Sequence, residues 1–360
     1  MTTVGAFLGR LGTALPLEKA AGWDPSVLQL GDPSARVDRV GVCHEVTEDV
    51  VAAVEADPVD LLVTYHPLLF RPVNQVIAGR SPAGRAHRLI RAAVALATVH
   101  TAFDAAPGGT ADALAAALGV LETTGFGPLV PAGRCKVVAF VPPEAVDAVA
   151  SSMSDAGAGV IGNYSACSYR SEGLGTFVPG RGARPTAGAV GEANAEAEIR
   201  LEMVCAATAV DSVVAALVAT HPYEEPAFDV YDVRSNLGFV GRVGALTKPV
   251  LLADFASVCA RELGSGGMRV SGEGEVRRVA VVAGSGGQFI APAVAAGADV
   301  LVTGDVGHHS VVEALDRGLA VIDPGHAPTE RPGMASLVAA IAATGVETLD
   351  HTGIDPTPWR

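Results

Sequence analysis

The chain has 360 residues, of which 49% are apolar and only 5% aromatic, so we expect a large core built mainly from aliphatic side chains. Its formal net charge of -14 argues against a nucleic-acid partner, because such partners are bound by clustered Lys and Arg side chains. The content of 42 Gly and 23 Pro favours an α/β protein with many tight turns and disfavours a helical bundle.

Cysteine usage and hydropathy bear on the compartment. The five cysteines are scattered without a Cys-x-x-Cys pair, which favours reduced, buried thiols and a cytoplasmic location. No apolar run reaches the length of a membrane span, and the N-terminus lacks the pattern of a signal peptide. No lysine follows a Gly-x-x-x-x-Gly stretch, so a P-loop is excluded.

Apolar periodicity and turn residues divide the first 128 residues into alternating helices and strands. Thr47 and Ser81 have the spacing of helix N-caps, and Gly119 is placed to end a helix. Because strands that alternate with helices pair in parallel, a layered α/β domain is expected. The predicted elements are a helix over 6–20, a strand over 37–43, a helix over 48–56, a strand over 59–66, a helix over 81–97, a strand ending near His100, and a helix ending at Gly119.

The pattern changes after a Gly/Pro-rich stretch, residues 125–134, which we interpret as a linker. The segment that follows has the order strand, helix, two strands, helix, strand, which is the ferredoxin-like α+β pattern. Alternating strands and helices then resume. We therefore predict two similar α/β halves, residues 1–128 and 240–360, that form one layered domain interrupted by a ferredoxin-like insert over 133–236.

The two halves share a repeated pattern. The apolar strands DLLVT, residues 60–64, and DVLVT, residues 299–303, both end in polar residues. Each is followed by a helix and by a second strand that ends in a His with a carboxylate four residues later. Because sites in open α/β sheets form beyond the carboxyl ends of strands, these side chains are candidates for one site. A chance likeness between apolar strands is the alternative. The candidates are His66, His100, Asp104, His326 and Glu330.

Imidazole nitrogens combined with carboxylate oxygens suit Zn, Fe or Mn, whereas an oxygen-only set would indicate Ca or Mg. Three or four such ligands with an open position can activate water. Taken singly, a histidine at a strand end more often has a structural role or is merely exposed. Asp305, His308 and His309, beyond the DVLVT strand, could hold substrate or move protons, with helix capping as the alternative role of Asp305.

Two further motifs leave alternatives open. GSGG, residues 284–287, follows a strand and could bind a phosphate through backbone N–H groups, but a tight turn explains it equally well. His221 opens the stretch HPYEEP, for which a structural hinge is favoured over a second metal site.

These motifs together resemble the NIF-three-like family, also labelled GTP cyclohydrolase type 2 homologues. The resemblance covers nearly the whole chain and rests on motifs that occur in the family's order. The insert looks like the PII/CutA-like domain of the longer bacterial members. The motifs are WDPSVLQLGD, TYHPLLF, HTAFDAAPGG, GSGG, VLVTGDVGHH and DPGHAPTE.

The resemblance implies a two-metal centre in a toroidal homohexamer. Carried over to this chain, the implied metal ligands are His66, Asp104, His326 and Glu330, with Glu330 bridging. The family's fifth ligand is a histidine, and here that position is Tyr65, a poorer ligand at neutral pH. The second metal then binds weakly, is bound by a phenolate, or is absent. The stretch around His44 also departs from the family, which usually has an Asp there.

The resulting hypothesis is a metal-dependent hydrolase that acts on a nucleotide or phosphoester, with one or two Zn, Fe or Mn ions per chain. In it a metal-activated water is the nucleophile, and His100 or His309 orients substrate or moves protons. The alternative is a non-enzymatic regulatory or scaffolding ring whose insert binds a small ligand or partner.

Overall fold

The structure is a computed structural model, and it describes residues 2–25, 27–129, 133–161, 164–233 and 238–354. The chain divides into two compact units. We call Met1–Pro131 together with Leu237–Arg360 the main unit, and Ala132–Asn236 the inserted unit.

The described residues form strands and helices that alternate over most of the chain. In chain order the strands are β1 (Thr2–Thr3), β2 (Leu28–Leu30), β3 (Arg36–Val37), β4 (Arg39–Cys43), β5 (Leu61–Thr64), β6 (Ala95–Thr98), β7 (Leu121–Leu129), β8 (Arg134–Val141), β9 (Tyr169–Phe177), β10 (Asn194–Ala206), β11 (Phe228–Val233), β12 (Gly238–Leu251), β13 (Arg269–Ser271), β14 (Glu275–Ser285), β15 (Val300–Gly304), β16 (Ala320–Asp323) and β17 (Glu347–Asp350).

The helices are α1 (Val4–Ala14), α2 (Glu48–Ala56), α3 (Pro82–Arg91), α4 (His100–Ala105), α5 (Thr110–Ala117), α6 (Val146–Asp155), α7 (Val210–Thr220), α8 (Leu252–Leu263), α9 (Ile290–Ala295), α10 (His308–Asp316) and α11 (His326–Ala342). None of the described helices is long and apolar enough to cross a membrane.

Two mixed sheets carry the main unit. The first has the strand order β17-β4-β5-β6-β2, and the second has the order β13-β16-β15-β14-β12-β7. In the first, β4, β5 and β6 are parallel neighbours, and in the second β14, β15 and β16 repeat this arrangement. The α/β fold with two similar halves, predicted from the sequence, is confirmed.

An aspartate precedes the middle parallel strand of each half and fixes the strand beside it. Asp60 Oδ2 accepts the backbone N–H groups of Asp38 and Arg39, at 2.8 and 2.9 Å. Asp299 Oδ2 accepts those of Arg277 and Arg278, at 2.8 and 2.7 Å. The repeat seen in the sequence is therefore also a repeat of hydrogen bonding.

The central strands are buried on both faces, which explains their continuous apolar sequences. Helix α1 buries Val4, Phe7 and Leu11, the spacing of one helical face, in a core that also contains residues of β4, β5 and α11. The sequence predicted this helix over 6–20, but it ends at Ala14, because Pro16 cannot continue the helical hydrogen bonds.

The predicted helix caps are confirmed. Thr47 accepts a hydrogen bond from the backbone N–H of Val50, and Ser81 accepts one from that of Gly84. Gly119 has a φ of 67° just beyond α5, a conformation that glycine adopts without strain.

Two further sequence predictions are wrong. The helix expected over 81–97 ends at Arg91, and Ala93 turns the chain with a φ of 57° before β6 begins. The supposed linker over 125–134 belongs to β7 as far as Leu129, since this segment pairs with β12. Residues 130–132 of that stretch lie outside the described residues.

The inserted unit has one four-stranded sheet with the order β11-β8-β10-β9, in which all neighbours are antiparallel. Helices α6 and α7 pack against it and bury Val149, Met153, Val213 and Leu217 in a core with residues of β8 and β10. This unit therefore has its own hydrophobic core.

His221 fixes the turn that follows α7. Its Nε2 donates to the carbonyl oxygen of Phe140 at 3.1 Å, and its Nδ1 accepts the backbone N–H of Tyr223 at 3.0 Å. This pair of bonds requires a neutral ring with its proton on Nε2. Burial lowers the pKa of His221, against a smaller opposing effect of the Phe140 carbonyl.

We expect Asp60→Ala and Asp299→Ala to lower the free energy of unfolding by similar amounts, about 1–3 kcal/mol each, because each variant removes one carboxylate from two backbone donors. Urea denaturation measures the effect. Asp316→Ala, at an exposed position on α10, is the matched control and should be within about 0.5 kcal/mol of wild type. Losses no larger than the control's would contradict this role.

We expect His221 to destabilise the protein in acid. Its folded-state pKa lies below the unfolded value of about 6.5, so its stabilising effect is complete above that value and is lost as the pH falls through the folded pKa. Denaturation curves at pH 8 and pH 5 for wild type and His221→Gln test this. The variant should lose less stability between these pH values, and equal losses would contradict the prediction.

Candidate metal site

Three histidines follow the ends of the parallel strands of the first half. Cys43, Thr64 and Thr98 are register partners at the carboxyl ends of β4, β5 and β6. Backbone bonds continue past these ends, from the His66 N–H to the His44 carbonyl at 2.9 Å and from the His100 N–H to the Tyr65 carbonyl at 3.0 Å. The sheet edge therefore presents His44, His66 and His100 side by side, where sites of α/β proteins form.

Helix α11 of the second half brings a carboxylate to this edge. Glu330 is only 2% exposed, and its Oε2 lies 2.8 Å from His44 Nε2 and 3.0 Å from His66 Nε2. Its other oxygen, Oε1, lies 3.0 Å from Nε2 of His326, one turn earlier on α11. Burial by itself would raise the pKa of Glu330, but hydrogen bonds from the three imidazoles hold it well below its ordinary value.

His326 is fixed from both sides. Its Nδ1 lies 2.7 Å from Asp305 Oδ2, and its Nε2 faces Glu330. Burial disfavours the charged ring, but the hydrogen bonds to Glu330 and Asp305 raise the pKa of His326 to about 9. Asp305 itself has a φ of 55°, an uncommon backbone conformation for a side-chain-bearing residue, directly after β15.

The GSGG stretch gives α11 room to approach. A Cβ on Gly284 would lie 2.5 Å from Glu330 Oε1 and 3.2 Å from His326 Nε2, and its φ is 66°. The Gly284 N–H donates to Thr329 Oγ1 at 2.8 Å, and the Thr329 hydroxyl donates to the His326 carbonyl at 2.6 Å. Gly284 therefore lies against the carboxylate, while Gly287 begins a short 3-10 helix.

The donor atoms of His44, His66 and Glu330 all lie within 4.8 Å of one another, a spacing that a single metal ion can bridge. Two imidazole nitrogens and one carboxylate oxygen make up this group. Such a set suits a divalent transition metal, and sites of this kind leave a coordination position open.

Two of the predicted ligands lie together in a separate pair. Tyr65, 1% exposed, donates from its hydroxyl to Asp104 Oδ1 at 2.6 Å, and the Thr110 hydroxyl donates to the same oxygen. Burial, together with the carboxylates of Asp104 and Glu330, raises the pKa of Tyr65 well above its ordinary value. Burial also raises the pKa of Asp104. The phenol is therefore a neutral donor to Asp104.

His100 has a different partner from the other strand-end histidines. Its Nδ1 lies 2.8 Å from Asp24 Oδ1, and it begins α4 with a φ of 23°. Burial disfavours the charged ring, but the hydrogen bond to Asp24 and the negative charges of Asp24, Asp104 and Glu330 together raise the pKa of His100. His309, the other predicted catalytic residue, is exposed at the start of α10, with its ring 5.4 Å from that of His308.

His44 is a candidate ligand that was not predicted from the sequence. The same rule that selected His66 applies to it, since it follows the buried strand β4 at the edge where β5 and β6 also end. The family resemblance did not imply His44 as a ligand, because the family usually has an Asp near this position. Only the parallel order of β4 and β5 shows that His44 and His66 are neighbours.

The candidate ligands His44, His66 and Glu330 line one cleft of about 630 Å³, together with His326. Its walls also include the ring of His100 and two exposed aromatic side chains, Trp23 and Phe70. A cleft of this size accommodates a small organic molecule.

Similar proteins come from several bacteria. A protein of Bacillus subtilis (strain 168) named "GTP cyclohydrolase 1 type 2 homolog" is 37% identical over 316 residues, which are 86% of this chain and 84% of that protein. One of the same name from Mycobacterium tuberculosis (strain ATCC 25618 / H37Rv) is 39% identical over 333 residues, which are 89% of this chain and 86% of that protein.

Solved structures resemble the whole chain. A Bacillus cereus protein related to NIF3 has a TM-score of 0.64 at 33% identity and covers 99% of both chains. Staphylococcus aureus protein SA1388 has a TM-score of 0.66 at 24% identity, over 100% of this chain and 98% of its own, which shows a shared fold. The model of the Duf34/NIF3 (NGG1p interacting factor 3) family matches residues 2–356, and the chain belongs to that family.

Proposed function

We propose that the protein binds a divalent transition metal ion through His44, His66 and Glu330 and acts as a metal-dependent hydrolase on a nucleotide or phosphoester. The observation that carries the proposal is the convergence of two imidazole nitrogens on one buried carboxylate oxygen, at 2.8 and 3.0 Å. These atoms line a cleft at the carboxyl ends of parallel strands, the usual position of active sites in such folds.

The residues present fit a metal ion of the Zn, Fe or Mn kind. The charge of Glu330 would balance part of the charge of the ion, and the side chains of His44 and His66 would supply neutral nitrogens. His326 would add a further nitrogen. The Asp305 carboxylate, which is hydrogen-bonded to the other ring nitrogen, would orient the imidazole. A bound ion would supply Lewis acidity toward a phosphoryl or carbonyl oxygen of the substrate.

His100 is the residue that we assign to proton transfer. Asp24 accepts a hydrogen bond from Nδ1, which leaves Nε2 as the nitrogen able to take a proton in the cleft. Tight fixation of one ring nitrogen by a buried carboxylate is the arrangement that orients a general base. We assign no role to His309, which is exposed on α10.

We propose one ion per chain. Tyr65 occupies the position of the family's additional histidine, and its hydroxyl is committed to Asp104. A second ion would need Asp104, whose Oδ1 already accepts two hydroxyl donors.

The substrate class is supported by the names of the relatives, which refer to a GTP cyclohydrolase and thus to a nucleotide. The net charge of -14 supports a small-molecule substrate in place of a nucleic acid. We also propose that the protein assembles as a homohexamer, as the family resemblance implies, and that it is located in the cytoplasm.

A regulatory or scaffolding protein is the second candidate. A separate pocket of about 360 Å³ in the inserted unit favours it, with Phe177, Glu198 and Tyr223 among its walls. This candidate predicts ligand binding without turnover, and loss of that binding when the inserted unit is altered.

We expect untagged protein prepared without chelator to carry about one equivalent of a transition metal, and His44→Ala and Glu330→Ala to lose most of it, because each removes a ligand. Elemental analysis measures the content. His87→Ala, on helix α3, is the matched control and should keep the wild-type content. A metal-free wild-type protein, or equal content in all variants, would contradict the metal site.

The same variants test hydrolysis. Metal-loaded wild-type protein is incubated with a panel of nucleotides and phosphoesters, and turnover is expected for wild type and His87→Ala but not for Glu330→Ala. Tight binding without turnover in the metal-loaded protein would favour the regulatory candidate.

Tyr65 variants test the number of ions. Tyr65→His should raise the metal content toward two per chain, because an imidazole would add a nitrogen beside Asp104. Tyr65→Phe should keep the content and lower the free energy of unfolding by about 1.5–3 kcal/mol, since it removes a hydrogen bond to a buried carboxylate. Loss of metal in Tyr65→Phe would show that the phenol is a ligand, and unchanged content in Tyr65→His would show that Tyr65 does not limit the second site.

A further inference from the structure

Two aromatic side chains are exposed side by side at the cleft. Trp23 is 62% exposed and Phe70 is 51% exposed, and both line the same cleft as His66 and Glu330. Each ring leaves a large apolar surface in water, in a protein whose aromatic content is only 5%. Paired exposed aromatics in a cleft indicate a surface that binds a ligand.

The two rings are in edge-to-face contact, at an interplanar angle of 61°. The centroids of Trp23 and Phe70 are 6.0 Å apart, and both rings stand edge-on to His100, at 5.9 and 6.5 Å. The ring of His100 is in turn 5.3 Å from that of His66. A planar group bound by Trp23 and Phe70 would therefore be separated from the proposed metal ligands only by the ring of His100.

Partly buried hydrogen bonds fix the backbone next to both rings. Asp24, directly after Trp23, is 3% exposed in its side chain and accepts the Thr101 backbone N–H at 3.0 Å and His100 Nδ1. The residue before Phe70 is Leu69, whose N–H and carbonyl are both bonded to the side chain of Gln29, at 3.1 and 3.0 Å. Because these segments are fixed before a ligand arrives, binding costs little ordering entropy.

From these observations we infer that Trp23 and Phe70 form a base-binding subsite, which holds the nucleobase of a nucleotide whose phosphate lies toward His66 and Glu330. The inference rests on the proposed function and narrows its substrate class from phosphoesters in general to nucleotides. Every base has a π face, so aromatic stacking selects for a base without selecting among bases. The carboxylates of Glu330 and Asp305 repel a phosphate group. Binding of the phosphate therefore requires the metal ion, whereas binding of the base does not.

Tryptophan fluorescence tests the subsite directly. The chain has two tryptophans, and in the full-length Trp359→Phe variant Trp23 is the only one. Adenosine and guanosine should quench its fluorescence in a saturable manner in both metal-free and Zn-loaded protein, whereas ribose 5-phosphate should not. Adenosine monophosphate should bind more tightly to the Zn-loaded than to the metal-free protein.

Alanine variants assign the binding to the two rings. Phe70→Ala in the same background, and Trp23→Ala measured by calorimetry, should weaken adenosine binding by roughly 5- to 150-fold, the range that loss of one stacking partner produces. Phe228→Ala, an exposed phenylalanine in the inserted unit, is the matched control and should bind like wild type.

Several results would overturn the subsite. The first is absence of quenching by either nucleoside. The second is an equal loss of adenosine affinity in Phe70→Ala and Phe228→Ala. The third is a change in the oligomeric state of Trp23→Ala without nucleoside binding, which would show that a second copy of the chain covers the rings. Quenching by adenosine in a protein that binds no metal would support the subsite while contradicting the proposed hydrolase, so the two failures are distinguishable.

Discussion

The carboxylate of Glu330 is 2% exposed, and an unpaired charge at that depth would cost several kcal/mol. His44, His66 and His326 surround it with three imidazole nitrogens at 2.8–3.0 Å. These contacts hold its pKa well below the ordinary value although burial acts in the opposite direction. This cluster forms only when the strand ends, the start of α11 and the backbone at Gly284 are all in place. The site therefore depends on the pairing of Glu330 with these imidazoles.

Neither half of the main unit can build the cluster alone. The first half supplies His44 and His66 from the ends of two parallel strands, and the second half supplies Glu330 and His326 from one helix. The halves share the aspartate that fixes a neighbouring strand, Asp60 in one and Asp299 in the other, but the carboxylates on α4 and α11 have different partners. In the first half, Tyr65 and Thr110 bond to Asp104, whereas in the second half Glu330 is surrounded by histidines.

Much of this was predictable from local sequence. Buried strands with continuous apolar residues, the caps at Thr47 and Ser81, and the repeated DLLVT and DVLVT strands were identified because each depends on residues close in the chain. Errors arose where tertiary pairing decided the outcome. The Gly/Pro-rich residues 125–129 look like a linker but belong to β7, because β12, more than 100 residues later, supplies their backbone partners.

The sequence by itself determined which side chains stand at strand ends, since burial and periodicity fix where each strand stops. It therefore selected His66, His100, Asp104, His326 and Glu330 as polar side chains that follow a strand, although the last four lie in helices α4 and α11. Only the tertiary structure decided which of these side chains meet. The parallel order of β4 and β5 makes His44 a neighbour of His66, and Asp104 lies outside the group and is bonded to Tyr65. Proximity across sheets depends on strand order and helix placement, which are set by packing of residues far apart in the chain.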